Sequence, residues 1–401
     1  MRKLLYILPT LCFLLQSCSS EATVDHTQQE QQRQDSLQNQ LVRVPGKRPL
    51  RFLSDRPYNL ETPLHYFLTD LTPNDVFFVR WHLPLPPEPV SEDTFRLRIS
   101  GNVSHPLALS MNDLRTKFKA YTMAAACVCA GNARSCFSPN VAGVQWVNGA
   151  MGNAQWTGVK LKDILVMANA RTNTKFVSFD GLDKPVLPTT PDFIKSLEYA
   201  HANNGEVMIA YEMNGEPIPF LNGYPLKLIV PGWYGTYWVG LLSDIKLHVD
   251  SFKGFWMTKS YMVPKGVRNG NEKPDSLARE MVPISRLDVR SLFVIPEPGT
   301  VIKKGKACEV RGVAMDDGTG ITKVELSSDN GRSWQAAELY PSLGKYSWRR
   351  WRYSYTPTTE GEVELLVKAT NTAGETQPLK QWNRSGYMRN EIEKLPLVVG
   401  K

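Results

Sequence analysis

Short apolar runs separated by turn residues dominate this chain, and long amphipathic stretches are few. The first run covers residues 4–15 and is too short to span a bilayer. Residues 21–40 are Gln-rich and nearly free of apolar side chains, so they cannot bury enough surface to fold and read as a flexible tether. From Pro45 to about Ser251 apolar runs alternate with helical patterns. Residues 156–170 carry apolar side chains at Val159, Ile164, Leu165 and Ala168, a spacing that predicts a helix. Residues 175–179 and 206–211 read as strands. Residues 226–230 have no polar alternation after Lys227, as expected of a strand buried on both faces. The longer apolar stretch 226–242 is broken by Pro231 and Gly232, which suits buried strands better than a membrane span. This mixture predicts an α+β domain.

The pattern changes after about Pro274. Residues 289–294, 307–314, 321–327, 346–355 and 363–369 are short candidate strands. Turn signals separate them: Pro298-Gly299, Asp317-Gly318 and Asp329-Asn330-Gly331. Strands at this spacing predict an all-β sandwich. Asp316, Asp317 and Asp329 suit hairpin turns better than a calcium site. The predicted organisation is a leader at 1–17, a tether at 18–44, a catalytic domain at 45–273 and a sandwich at 274–401.

Composition adds compartment and charge. The 401 residues suffice for two domains, and the formal charge is +8. Arg2 and Lys3 belong to the leader, which takes two from that value. There is no basic run and no nucleic-acid motif, and the arginines cluster beside the candidate site motifs, which favours a small anion. The leader ends in Leu15-Gln16-Ser17-Cys18, which resembles a bacterial lipobox. Export with a lipid on Cys18, leaving the protein anchored on the periplasmic side of a membrane, is the expectation. Of six cysteines, Cys127, Cys129, Cys136 and Cys308 remain beyond the leader and the lipid site. No Cys-x-x-Cys-His occurs, so no covalent c-type haem is expected. Cys127 is expected to face away from Cys129 on a strand, and a Cys127–Cys136 bridge is left open.

The chemistry centres on Cys129-Ala130-Gly131-Asn132-Ala133-Arg134. A thiolate is a soft ligand suited to a redox metal, and a guanidinium nearby binds oxyanions. No His, Asp and Glu cluster at metal-ligand spacing accompanies it, which favours a metal brought in by an organic cofactor. Around it stand Phe78-Val79-Arg80-Trp81-His82, Trp146-Val147-Asn148-Gly149-Ala150, Tyr211-Glu212-Met213-Asn214-Gly215-Glu216-Pro217, Pro231-Gly232-Trp233-Tyr234-Gly235 and Phe255-Trp256-Met257-Thr258-Lys259-Ser260-Tyr261. This ordered set resembles the sulfite oxidase family of molybdenum enzymes, in particular its bacterial haem-free branch, from about Pro45 to the C-terminus.

The resemblance implies a molybdopterin-binding domain followed by an immunoglobulin-like dimerisation domain. It implies Cys129 as the molybdenum ligand and a cofactor site drawn from Phe78, Val79, Arg80, Trp81, His82, Asp183, Asn222, Lys227, Trp238, Val239 and Gly240. It implies Arg134 and Arg349 as substrate-anion arginines, with Arg350 the alternative to Arg349, and Arg80 and His82, two apart on one face of a strand, as further catalytic residues. Trp146 would wall the pocket, and Tyr261 would stand beside the metal. Two departures stand out. Lys227 keeps a positive charge where a vertebrate pattern has arginine, and Gly240 stands where a lysine is expected.

The function implied is oxidation of sulfite to sulfate by a homodimer, with electrons passed to a separate acceptor such as a c-type cytochrome. A molybdopterin reductase of sulfoxide-type substrates and a non-catalytic partner subunit remain alternatives.

Overall fold

The computed structural model describes residues 41–86, 88–265 and 271–401. The leader, Cys18 and nearly all of the predicted tether lie outside the described residues. The last tether residues are ordered: strand Leu41–Val42 pairs antiparallel with Leu50–Asp55. Among the described residues, strands predominate and helices are few and short, the longest being Leu161–Met167. No helix among them is long and apolar enough to cross a membrane.

Among the described residues the first part of the chain builds three larger sheets, and Met262–Pro264 pairs with Met281–Pro283 in a small fourth one. Leu41–Val42, Leu50–Asp55, Tyr58–Glu61 and Val79–Arg80 follow one another in the first. The second has the order Lys195–Glu198, Phe176–Gly181, Leu242–His248, Leu97–Gly101, Leu107–Leu109, and its only parallel pairing joins Leu242–His248 to Leu97–Gly101. In the third, Tyr121–Val128 pairs with Met151–Lys160, which pairs with Met208–Met213, and Lys227–Ile229 adds to that strand.

The helix predicted over 156–170 is half strand. Met151–Lys160 runs through the centre of a sheet, and the helix begins only at Leu161. Val159 is fully buried in the sheet and Ile164 and Leu165 under the helix, so one apolar spacing served two elements. Leu226, Leu228, Ile229 and Val230 are fully buried, as the uninterrupted run required.

The second part is all strand. Arg290–Ile295, Cys308–Met315, Arg349–Tyr355 and Glu338–Leu339 form one sheet. Val301–Lys303, Glu393–Gly400, Gly361–Asn371, Ile321–Ser327 and Gln335–Ala336 form another. The last long strand shows the period of two plainly: Glu393, Leu395, Leu397 and Val399 are buried, and the residues between them are less so. Between the sheets lie Val310, Trp351, Val367 and Leu397.

The two parts share a core. The cluster around Phe77, Trp156 and Trp238 continues into Leu292, Val313, Trp348 and Met388. Arg350 makes a bidentate pair with Asp70 at 2.6 and 3.0 Å, and Ser347 Oγ accepts from Asn153. These contacts join the second part to the first, and in the loop before the last strand Met388 N donates to the Ala130 carbonyl at 2.8 Å, next to Cys129.

Candidate active site

A cleft enclosing about 700 Å³ opens where the three sheets of the first part meet. Cys129 lines it, just beyond the end of strand Tyr121–Val128. The turn after Cys129 is stitched on both sides. Its own N–H donates to the Ala150 carbonyl at 2.9 Å, and its carbonyl accepts from Asn132 N at 3.0 Å. Ala133 sits at φ 61° and donates to the Val147 carbonyl. The thiol is therefore carried on a rigid turn and not on a loose loop.

Cys127 also lines the cleft. Residues two apart on a strand share a face, so the expectation that Cys127 points away was mistaken. Burial pushes its thiol up to about 12. Cys136 is a free thiol in this structure, as are Cys127 and Cys129, and the Cys127–Cys136 bridge is not formed.

Arg80 and His82 converge on Tyr261. Asn59 Oδ1 and the Trp81 carbonyl both accept from Arg80 Nη1, which fixes the guanidinium. Arg80 Nη2 donates to the Tyr261 hydroxyl at 3.5 Å, and that hydroxyl is hydrogen-bonded to His82 Nε2. Burial, reinforced by Arg80 and Lys195, holds His82 well below its ordinary pKa. His82 is then neutral, and an arginine donating to the phenol leaves the phenol proton to be given to Nε2. The His82 ring is stacked on Phe193 at 3.8 Å with Trp256 edge-on at 4.9 Å. Tyr261 is 4 % exposed and adopts φ 57°, a backbone conformation uncommon for a bulky side chain and one found at sites held by their surroundings.

Arg134 lies beside this group, 6 % exposed. Its Nε donates to the Gly386 carbonyl at 3.0 Å and its Nη1 to the Val144 carbonyl at 3.1 Å. The guanidinium lies 4.8 Å from the centre of the Tyr387 ring, which stacks on Tyr261 at 4.9 Å. Side chains at Gly131, Gly143 or Gly386 would meet it at 2.6–2.8 Å, so the guanidinium fills space that only glycine leaves open.

At the other end of the cleft, Lys227 donates to the Asn222 carbonyl at 2.9 Å and Asn222 Nδ2 to the Phe78 carbonyl at 2.9 Å. Burial lowers the pKa of Lys227. Lys47, buried at 8 % exposure, donates to Asn222 Oδ1 at 2.5 Å and to the Phe77 carbonyl at 3.1 Å. Burial brings its pKa down to about 7. Asp183 lines the same cleft, with burial raising its carboxyl to about 7. Gly240 has no room for a side chain: a Cβ there would lie 2.9 Å from Gly223 Cα and 3.0 Å from the Trp81 ring. Only its backbone can meet a ligand.

Most of the predicted site residues meet in this one cleft: Phe78, Arg80, Trp81, His82, Cys129, Asp183, Asn222, Lys227, Trp238, Val239, Gly240 and Tyr261. Arg134 adjoins it through Tyr387 and Tyr261. Val79 and Trp146 are packed in the interior, at 0 % and 1 % exposure, and stand behind the lining instead of in it. Arg349 does not reach the cleft. It lies in a strand paired along its length with Cys308–Met315, and its guanidinium donates to the carbonyls of Tyr340 and Ile321. Arg350 is committed to Asp70 and the Leu68 carbonyl, so the alternative register fails too. The residues the sandwich does bring to the site are Gly386 and Tyr387. Phe193, Lys195, Thr236, Cys127 and Lys47 were also missed. Each sits in an ordinary strand or turn, and the short mixed run around Lys195, from Asp192 to Glu198, gives no signal of its burial.

These residues fit a molybdenum–molybdopterin group. Cys129 and Cys127 both line the cleft, and no cluster of three His, Cys, Asp or Glu able to hold a metal is found among the described residues, so a molybdenum held by Cys129 would take its further ligands from the cofactor. Thr236 lines the cleft with a buried hydroxyl oxygen that has no hydrogen-bond partner. Lys227 and Asn222 line one end of the cleft with a cationic and a polar group, and they would suit a phosphate-bearing pterin.

Comparison with known proteins agrees. The oxidoreductase molybdopterin binding domain profile matches residues 82–256, and the Mo-co oxidoreductase dimerisation domain profile matches residues 281–397. Mitochondrial sulfite oxidase of Rattus norvegicus is 32 % identical over 385 residues, covering 91 % of this chain and 68 % of the rat protein. Sulfite oxidase of Arabidopsis thaliana is 30 % identical over 383 residues, 89 % of this chain and 96 % of that protein. Among solved structures, the sulfane dehydrogenase SoxCD of Paracoccus pantotrophus superposes with a TM-score of 0.74 at 22 % identity, over 96 % of this chain and 93 % of that one. At that identity the likeness speaks for the fold.

Proposed function

This chain belongs to the sulfite oxidase family, and from that premise we infer that it oxidises sulfite to sulfate in the cleft at Cys129. The single observation that carries the reading is the convergence of Cys129, Arg80, His82 and Tyr261 on one cleft, with Arg134 at its side. The net change is sulfite plus water to sulfate, two protons and two electrons. A molybdenum–molybdopterin group, held through Cys129, Lys227, Asn222 and the Gly240 backbone, supplies two-electron redox chemistry and oxygen transfer when bound.

The chain's own residues bind the anion, orient it and hold protons. Arg80 and Arg134 attract sulfite and aim its oxygens. Tyr261 holds a proton at its hydroxyl, and neutral His82 Nε2 accepts that hydrogen bond and offers a place for the proton. Burial keeps the phenol well above its ordinary pKa, so Tyr261 stays protonated at neutral pH. Phe193, Trp256 and Tyr387 wall this end and exclude water.

The remaining reading is ours as well. The two sheets after Arg290 support an immunoglobulin-like sandwich, and the dimerisation-domain match supports a homodimer. Electrons would leave one at a time to an external acceptor, with a c-type cytochrome the proposed partner. The leader and Cys18 support export and a lipid anchor on the periplasmic side. The domain limits 45–273 and 274–401 remain a proposal.

The test is molybdenum analysis of the purified protein followed by sulfite oxidation with an artificial electron acceptor. About one molybdenum per chain and sulfite-dependent reduction are expected. Metal-loaded protein that leaves sulfite unchanged and reduces sulfoxides overturns the reading.

A further inference from the structure

Behind the Tyr261–His82 pair lies an ammonium that neither the sequence motifs nor the family match assigns. Lys195 begins the strand Lys195–Glu198 at the edge of the second sheet and is 1 % exposed. Phe193, two residues earlier, is the ring on which His82 is stacked. Lys195 Nζ donates to the Trp256 carbonyl at 2.6 Å. It lies 4.5 Å from the centre of the Tyr237 ring and 5.1 Å from that of Tyr261. Trp256, in turn, packs edge-on against His82.

Among the described residues, its surroundings contain no counter-ion. The groups facing it are Tyr237 from the turn Gly235–Tyr237, Tyr261, and His82 with Arg80 beyond. On the following helix, His201 lies against Trp233. The carboxylates of Asp180 and Asp192 are both bound to Lys184, at 2.7 and 2.9 Å. A lysine with its whole stem buried, two aromatic faces and one carbonyl is costly to maintain as a cation. Aromatic faces return part of that cost. An apolar residue of the same length would fill the space without it.

We propose that Lys195 is a positioning residue of the anion site, holding Tyr261 and His82 in place from behind and adding positive charge behind the cleft. The proposal rests on the reading of the cleft as a sulfite site and deepens it. Burial brings the Lys195 ammonium down to about 7. Below that pH it is charged and favours an anion, and above it the amine is neutral. His82 stays neutral over this range, while Tyr261 and Tyr237 stay protonated, since burial raises both. Asp183 and Lys47 titrate in the same window, so the diagnostic is the difference between variants and not the shape of one curve.

The experiment measures sulfate affinity of the molybdenum-loaded protein by calorimetry from pH 6 to 8.5, beside the KM for sulfite, in wild type, Lys195→Met and Lys195→Arg. Sulfate keeps its charge over this range and needs no turnover. Wild-type affinity should fall about tenfold more between pH 6 and 8.5 than that of Lys195→Met, an effect expected of one charge several ångströms away. Lys195→Met should already bind about tenfold more weakly at pH 6 while melting no lower than wild type. Lys195→Arg, charged throughout, should retain tight binding at pH 8.5. A Met variant with wild-type affinity and an unchanged pH profile overturns the proposal. If the Met variant does not fold, an Arg variant that loses affinity in parallel with wild type does the same. A wild type that binds sulfate but does not oxidise sulfite overturns the reaction and leaves Lys195 to its own measurement. Absence of sulfate affinity in the wild type overturns both.

Discussion

Two regions of this molecule bury cations, and they do so in opposite ways. At the sandwich end, Glu393 takes Arg290 at 2.6 Å and Arg389 at 2.8 Å, all three buried. Although burial pushes the Glu393 carboxyl up, the two guanidiniums hold it below its ordinary range. In and around the cleft, Arg134, Lys195 and Lys227 donate to backbone carbonyls or lie against aromatic rings. Ion pairing neutralises charge within the fold. Unpaired cations keep their field available, and burial strengthens it toward whatever anion arrives. The first arrangement is a structural fastening, and the second suits the anion site proposed for the cleft.

The largest effect separating the two regions is expected at Cys129. Cys129→Ser should leave no measurable sulfite turnover, because a hydroxyl is a poor soft-metal ligand, and elemental analysis should show altered metal binding. Cys127→Ser, although it lines the same cleft, should keep molybdenum and lose less than about tenfold. Retained activity in Cys129→Ser would show that the wrong thiol has been chosen.

Next come substitutions that remove one charge from each region. Arg134→Gln should cost about 2–5 kcal/mol in kcat/KM for sulfite with a smaller change in unfolding midpoint. Glu393→Gln should do the reverse. It leaves two buried guanidiniums uncompensated and should lower stability by about 3–5 kcal/mol, read from urea unfolding, while activity per molybdenum holds. If both variants shift kinetics alike, the contrast between fastening and site fails.

A smaller effect should appear in stability against pH. Lys195 is depressed to about 7 from 10.5, so between those values the unfolded chain binds a proton that the folded chain does not. Stability should therefore rise with pH in that window, by up to about 1.4 kcal/mol per unit for this lysine. Lys195→Met should flatten that rise. Glu393, held low when folded, contributes stability above the ordinary carboxylate range, and this is lost as pH falls through its folded value. The smallest effect is expected for Arg349→Gln, which should change sulfite kinetics less than about twofold, since its guanidinium serves the Tyr340 and Ile321 carbonyls.

Apolar periodicity located most strands, because a period of two needs only a few residues to be read. Strands Ile321–Ser327 and Cys308–Met315 fall almost where the pattern puts them. It misread 156–170, where a strand passes directly into a helix and one spacing spans both. That Cys129, Arg80, His82 and Tyr261 would come together was legible because short motifs carry them. Arg349 was misplaced and Tyr387 missed because a motif says nothing about which loop of a second sheet is brought to a distant turn.

Local chemistry is written in neighbouring residues: a thiol on a Gly/Asn turn, two side chains sharing a strand face, a lysine among apolar positions. Those features, with the charge balance and the change to short strands after Pro274, the chain determined by itself. Which cations would stand unpaired was decided only by tertiary packing. Glu393 is 103 residues from Arg290 and Gly386 is 252 from Arg134, and no local pattern encodes a partner at such separation. Whether a buried charge is neutralised or kept for a ligand depends on what the fold closes around it, and that is settled when the sheets pack.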